Sequence, residues 1–177
     1  MIKKVIIILL FPLLVLSQNN VCFSIEENPN LELQAISSFT KYINVFNCIH
    51  IYAEPSVSDQ KVLHAAAIAA ELLDNDEDGI IDDDNVKNQL ITKYTIMPLF
   101  AYEGSNAEDL LFDSFDDLMD DNNFCAGAVL YNNEIDPSNP GFFGYDASVE
   151  EVLHTINTCS HVEIYPDVFG LDPNSSQ

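Results

Sequence analysis

Apolar residues are spaced along the chain in ways that predict particular elements. Residues 42–53 are rich in β-branched and aromatic side chains, which favours one strand that ends at residues 54–56. A helix is predicted from Ser58 or Asp59, as the capping residue, to about Leu73. Since apolar residues occupy nearly every face of this helix, we expect it at the centre of the fold.

The rest of the chain continues in a mainly helical pattern. Further predicted elements are one or two helical turns over 33–40, a helix over 86–94 broken by Pro98, helical spacing within 102–123, a strand over 127–131 and a helix from Val149 to about Cys159. Ser148 and Glu151 fit a capping box at the start of the last helix. We therefore predict an α+β, helix-dominated single domain with a small sheet and one EF-hand-like helix–loop–helix.

The first 17 residues are interpreted as a signal peptide. Lys3 and Lys4 precede an apolar run over 5–16, and cleavage is predicted after Ser17. A signal anchor is the alternative, although the run is short for a membrane span. The predicted organisation is a signal peptide over 1–17, an N-terminal arm over 18–41, a globular domain over 42–165 with a calcium-type loop at 74–85, and a tail over 166–177. The expected location is secreted and extracellular, without membrane contact after cleavage.

The composition is strongly acidic. The chain has 29 Asp and Glu residues against six basic residues, all of them Lys, and a formal net charge of −23 at neutral pH. Nucleic acids and anionic membrane surfaces are excluded as partners, because both need Lys or Arg to neutralise phosphate. Calcium ions, a mineral surface and basic extracellular proteins fit the charge.

Four cysteines are present, at positions 22, 48, 125 and 159. Because secretion exposes a protein to oxidising conditions, two disulfide bonds are expected. Four cysteines allow three pairings, and their spacing does not choose among them. Cleavage after Ser24 instead would remove Cys22 and leave one thiol over.

The strongest local motif is the acidic loop between the first two predicted helices. Calcium prefers oxygen ligands, and acidic residues at alternate positions turn their carboxylates towards one point. This loop resembles EF-hand and dockerin-type calcium loops. The resemblance implies ligands from the side chains of Asp74, Asp76, Asp78 and Asp82 and from the backbone carbonyl of Ile80, with Gly79 at the required turn and Ile81 as the apolar eighth residue.

The loop departs from those families at its twelfth position. Asn85 stands where the usual ligand is a bidentate Glu, and Asp83 or Asp84 would have to substitute. We therefore expect weak affinity, with a dissociation constant of ~10⁻⁴–10⁻³ M. The alternative is an unoccupied acidic turn.

A second motif combines carboxylates with a histidine. On a helix, Glu150 and Glu151 lie four and three residues before His154, so all three can share one face. The segment resembles the zincin helix with its first His replaced. That resemblance implies Glu150 and His154 as Zn²⁺ ligands and Glu151 as the catalytic general base. In the alternative, the two Glu residues offset the helix dipole and His154 is a half-buried structural residue.

Two further histidines bear on this motif. His64, inside the apolar helix, is either a hydrogen-bonded core residue or a neighbour of Glu151 or His154. His161 would lie about 10.5 Å from His154 along a continuous helix, too far to share a metal unless the chain folds back.

Residues 64–66, 73–79 and 146–154 together resemble a little-characterised group of extracellular proteins over roughly residues 60–170. The resemblance implies that both motifs belong to one domain, and it implies no activity. We predict a secreted acidic calcium-binding protein, as an extracellular or biomineral (shell or skeletal) matrix component. The alternatives are a zinc-dependent, peptidase-like hydrolase and an inactive zincin-like relative that binds calcium.

Overall fold

A mixed sheet of five strands runs through the middle of the molecule. The computed structural model describes residues 23–140 and 146–170, with only the backbone of residues 121 and 122, so the predicted signal peptide and Cys22 lie outside it. The strands, in spatial as well as chain order, are β1 (Glu26–Glu27), β2 (Lys41–Val45), β3 (Ile49–Ala53), β4 (Thr95–Phe100) and β5 (Leu130–Tyr131). The first three strands pair antiparallel, and β3, β4 and β5 pair parallel. The predicted α+β class is confirmed.

Helices account for more of the described chain than strands do. They are α1 (Asp59–Leu73), α2 (Asp84–Thr92), α3 (Asn106–Asp113), α4 (Phe115–Asn122), α5 (Ser148–Ile156), α6 (Val162–Ile164) and α7 (Pro166–Phe169). The bounds of α1 confirm the prediction. No helix within the described ranges is both long enough and apolar enough to cross a bilayer.

The strand predicted over residues 42–53 is in fact a hairpin. Phe46 and Asn47 have φ angles of 51° and 59°, so the chain reverses there and β2 pairs with β3. The Asn44 side chain accepts a hydrogen bond from the Asn47 amide at 2.7 Å. Asn tolerates the left-handed region better than most residues, so Asn47 is the local sequence signal for this turn.

Pro98 was predicted to break a helix, and that prediction is wrong. The helix α2 already ends at Thr92, and Pro98 lies inside β4, opposite Tyr52 of β3. Every residue of β4 is buried. Proline normally argues against a central strand, so burial on both faces of the sheet overrides the local signal here.

The two faces of the sheet carry separate cores. Side chains such as Ile43, Ile51 and Met97 face α1 and α5, in one continuous apolar cluster. Tyr42, Tyr52 and other large side chains on the opposite face pack with α3 and with a 3₁₀ turn over Gln34–Ile36. The central position predicted for α1 follows from its contacts with β2, β3 and α5.

The described part of the predicted N-terminal arm is packed into this domain. Strand β1 pairs with β2, and Ile36 and Phe39 are fully buried. The Asn28 side-chain amide donates hydrogen bonds to the carbonyl oxygens of both residues, at 2.7 and 2.9 Å. The domain therefore begins well before residue 42.

The capping box predicted at the start of α5 does not form. Ala147 occupies the capping position without a side-chain hydrogen bond, and the Ser148 hydroxyl instead donates to Asp146 at 2.7 Å. After Ile156 the chain continues through a π-helical turn over Asn157–His161.

One of the two expected disulfides, between Cys125 and Cys159, is present among the described residues, and the other would involve Cys22, which lies outside them. The Cys125–Cys159 bond closes a loop of 34 residues, which restricts the unfolded chain and contributes about 3–4 kcal/mol in the chain-entropy model. Near it, a Cβ atom on Gly127 would lie 2.5 Å from the Thr155 Cα, so only glycine fits against α5 there. Cys48 is a buried free thiol, and burial raises its pKa to about 11.

Candidate metal centre

The acidic loop connects α1 to α2, as the helix–loop–helix prediction requires. One carboxylate oxygen from each of Asp74, Asp76 and Asp78 lies within 4.8 Å of the others. Among the described residues, this is the only group of three acidic, histidine or cysteine side chains brought together so closely. Asp74 is buried at the end of α1, while the other two carboxylates face solvent.

Backbone amides hold the loop curled around these carboxylates. The two oxygens of Asp74 accept hydrogen bonds from the Asp78 amide at 3.2 Å and the Gly79 amide at 2.8 Å. One oxygen of Asp78 accepts from the Ile80 amide at 2.8 Å. The turn requires left-handed backbone at Glu77 and Gly79, with φ of 57° and 88°, and glycine meets that requirement with the least strain.

The base of the loop is fixed to the core. Ile81 is buried in the cluster between the sheet and α1, whereas the side chain of Ile80 is 64 % exposed. The Asp82 amide donates to the Leu73 carbonyl at 3.0 Å, which ties the exit of the loop to the end of α1. Ile81, the apolar eighth residue of the motif, therefore anchors the loop in the core.

Two of the acidic residues after Gly79 have structural partners. One oxygen of Asp82 accepts from the backbone and side-chain amides of Asn75, both at 2.9 Å. Asp83 caps α2 by accepting from the Asn85 amide at 2.8 Å, and its second oxygen accepts from the Tyr165 hydroxyl at 2.6 Å. Asp83 is therefore a helix cap, which leaves Asp84 as the candidate substitute for the missing Glu.

Neighbouring groups shift the pKa values of the loop carboxylates in opposite directions. The negative charge of Asp78, above all, raises the pKa of Asp76, as expected for carboxylates forced together. Hydrogen bonds from Asn75 lower the pKa of Asp82, and the hydroxyl of Tyr165 lowers that of Asp83. The raised pKa thus belongs to Asp76, one of the three converging carboxylates. The lowered pKa values belong to Asp82 and Asp83, which already accept hydrogen bonds from protein groups.

The second motif is more open. Glu150 and His154 lie on one face of α5 with 3.8 Å between the carboxylate oxygen and Nε2, and each side chain is 59 % exposed. Burial raises the pKa of Glu151. These three residues do not form a close group of ligand atoms like that of the loop. The assignment of Zn²⁺ ligands and of a general base on α5 stays a prediction.

His64 has a partner that the sequence analysis did not foresee. Its Nε2 lies 2.8 Å from an oxygen of Asp146, whereas the sequence had offered Glu151 or His154 as its neighbour. The Asp146 side chain is fully buried, and its other oxygen accepts from the Ser148 hydroxyl and amide and from the Asp136 amide. This pair links α1 to the start of α5 across 82 positions of sequence, a separation over which local patterns carry no signal.

His161 takes no part in either motif. It ends the π-helical turn beyond α5, and its ring stacks on Phe169 with centroids 4.7 Å apart. Burial lowers its pKa. The helical course continues from α5 into this turn, without the fold-back that a metal shared with His154 would need.

A separate buried network lies on the α3 side of the sheet. His50 accepts or donates a hydrogen bond with the Tyr42 hydroxyl at 2.7 Å and stacks on the ring of Tyr94 at 4.0 Å. Burial lowers the pKa of His50 to about 4. The network is closed by protein partners, which makes it a structural feature rather than a second site.

The candidate centre is therefore the loop of Asp74, Asp76 and Asp78, supported by its own geometry. Comparison with known proteins found no family model, no curated protein and no solved structure that matches the chain.

Proposed function

We propose that the protein is a secreted, acidic calcium-binding protein, and that its loop at residues 74–85 binds one Ca²⁺ ion. The observation that carries the proposal is the convergence of three carboxylate oxygens within 4.8 Å, in a loop already curled by its own amides. Calcium accepts six to eight oxygen ligands in flexible geometry, so three carboxylates, a backbone carbonyl and water make a suitable set.

The ligand chemistry favours calcium over zinc. Zinc sites in proteins use mainly His nitrogen and Cys sulfur, and the trio offers carboxylate oxygen alone. The hydrolase alternative would need Glu150, Glu151 and His154 to act together, and no contact among the described residues gathers them into a closed site. We therefore put calcium first and assign no reaction.

The extracellular or biomineral matrix role rests on charge. A protein with a net charge of −23 concentrates calcium ions near its surface as well as at the loop. A weak site suits surroundings where calcium is present at millimolar levels, as it is for extracellular modules. The one disulfide bond is compatible with an oxidising compartment.

The test is calcium-dependent stabilisation of the whole protein. A site with a dissociation constant of ~10⁻⁴–10⁻³ M predicts about 1.4–2.7 kcal/mol of added stability at about 10 mM Ca²⁺. Urea unfolding with Ca²⁺ and with chelator measures this difference directly.

The Asp76→Asn/Asp78→Asn double variant should lose that response, because the amides keep the shape and the acceptor oxygen while removing charge. The matched control is Asp116→Asn/Asp120→Asn on α4, two exposed acids outside the loop, which should keep the full response. Equal responses in the two variants would show that calcium acts through general charge screening and would overturn the loop assignment.

A further inference from the structure

Helices α3 and α4 carry apolar side chains that stay partly open to solvent, although the Phe112 ring touches the edge of Phe100 and Phe115 packs against the core. Leu111 and Leu118 are 1 % and 4 % exposed and hold the two helices to the core. The residue after each of them remains open, with Phe112 at 55 % and Met119 at 44 % exposure. Phe115, half-buried, lies one turn before Met119 on α4. We call Phe112, Phe115 and Met119 the α3–α4 strip.

The charges around this strip have one sign. Residues 106–122 contain seven acidic residues and no Lys. The exposed acids among them are Asp109, Asp113, Asp116, Asp117 and Asp120. Exposed apolar side chains on two consecutive helices, flanked by acids, differ from the singly scattered apolar residues that any protein shows.

This charge pattern selects the kind of partner. A second copy of the chain would bring acid against acid, and an anionic membrane would be repelled in the same way. Lys or Arg flanking an apolar face would instead match both parts of the surface, and Met with aromatic rings adapts well to a helix laid across it. We propose that the α3–α4 strip is a docking surface for a basic amphipathic helix of another protein.

The proposal is independent of calcium at the loop. The strip and its acids lie on α3 and α4, whereas the trio of aspartates lies between α1 and α2. Binding should therefore persist in chelator, and it should weaken with added salt because the surrounding acids are exposed.

The probe is a synthetic amphipathic peptide of about 18 residues, made of Leu and Lys at helical spacing and titrated into the protein in chelator. Two control peptides accompany it: one with the same composition in scrambled order, and one with Glu in place of Lys. Binding is followed by calorimetry. We expect the amphipathic Lys peptide to bind at least about tenfold more tightly than the scrambled one, since only it presents a continuous apolar face.

Matched protein variants locate the surface. Phe112→Ser/Met119→Ser should weaken binding by about tenfold or more, because two apolar contacts are lost. The control Leu153→Ser/Val168→Ser removes two aliphatic side chains of similar exposure, 46 % and 45 %, on α5 and α7, and should change affinity by less than about twofold. Circular dichroism checks that each variant is folded. Met119→Lys alone, which adds the charge of the peptide at an exposed position, serves as a second loss-of-binding variant.

Charge variants complete the design. Asp113→Asn/Asp116→Asn/Asp120→Asn should weaken binding by about threefold to tenfold, and Glu27→Gln/Glu71→Gln/Asp167→Asn, exposed on other elements, should weaken it less. Equal losses in the two sets, or equal binding of the scrambled peptide, would reduce the effect to general acidity and overturn the proposal. Concentration-dependent dimers abolished by Phe112→Ser/Met119→Ser would assign the strip to a second copy and also overturn it.

Discussion

Two acidic regions of this protein use the same residue types to different ends. In the loop after α1, three carboxylates converge around an open point, and backbone amides hold them there. At the start of α5, Asp146 is buried and saturated by protein donors, while Glu150 and His154 stand exposed at 3.8 Å. A curled loop gathers carboxylates at one point, whereas a helix face spaces them along its axis. The difference makes the first region a candidate ion site and the second a structural joint.

The largest effect should come from the joint. Asp146→Ala should cost about 3 kcal/mol or more in the free energy of unfolding, because it leaves His64, Ser148 and the Asp136 amide without their buried hydrogen-bond partner. Urea unfolding in chelator measures it. Glu150→Ala, four residues later in the first turn of α5, should change stability by less than about 0.5 kcal/mol. Similar losses in the free energy of unfolding for the two variants would contradict the structural role assigned to Asp146.

The stability of the protein should fall in acid because of a buried histidine that lies in neither of these two regions. His50 has its pKa lowered to about 4 by burial, against an ordinary value near 6.5. The unfolded chain therefore binds this proton first, so stability is full above pH 6.5 and falls by about 2–3 kcal/mol as the pH drops towards 4. His161, with its pKa also lowered by burial, adds a contribution of the same sign.

The measurement is urea unfolding across that pH range without calcium. His50→Gln should lower the overall stability and flatten most of the slope. An unchanged slope in this variant would place the titrating group elsewhere.

Acid should also release calcium from the loop before it disturbs the rest of the loop. The pKa of Asp76 is raised by its neighbour Asp78, whereas the pKa of the bracing Asp82 is lowered. As the pH falls, Asp76 takes up a proton first and calcium affinity drops, while the Asp82–Asn75 brace persists to lower pH. Calorimetric calcium titrations at decreasing pH check this. Asp76→Asn should bind weakly and show less pH dependence, and a full pH dependence in that variant would contradict the assignment.

Substitutions at two glycines distinguish the effect of backbone strain from the effect on calcium binding. Gly79 and Gly104 both have positive φ, at 88° and 76°, and a Cβ on either would meet nothing within 4 Å. Gly79→Ala and Gly104→Ala should each destabilise the protein by about 1 kcal/mol through strain alone. Only Gly79→Ala should also weaken calcium binding. Equal calcium affinities in the two variants would remove the turn at Gly79 from the site.

The smallest effect is expected on the exposed face of α5. His154→Ala should change stability by less than about 0.5 kcal/mol, since its side chain is 59 % exposed and its carboxylate neighbour is 3.8 Å away. Zinc content after equilibration with Zn²⁺ should likewise match that of the unsubstituted protein. One zinc ion per chain, lost in this variant, would restore the hydrolase alternative.

The sequence predicted the local features well. Capping residues and apolar spacing placed α1, and alternating aspartates with Gly79 placed the loop, because helix starts and tight turns depend on near neighbours. The role of Asp83 was also within reach, since an Asp just before a helix is a typical cap.

Most of the features that the sequence did not indicate depend on distant contacts, and the capping box wrongly predicted at Ser148 and Glu151 is a local exception. Nothing near Pro98 shows that it will lie in a buried strand beside β3, and nothing near His64 shows that Asp146 will lie beside it. The hairpin turn at Phe46 and Asn47 is a local feature that was nevertheless missed, because its turn signal is short and lies within an apolar run. Long-range pairing decides positions such as Pro98 and His64, and one sequence without its fold does not display it.

A calcium titration followed by amide NMR shifts tests the loop assignment most directly. We expect saturable shifts with one stoichiometric site, largest at the amides of Asp78, Gly79 and Ile80, and little change at Glu150, Glu151 and His154. Small, unsaturable shifts spread over the exposed acids of the whole surface, or saturation centred on α5, would contradict it.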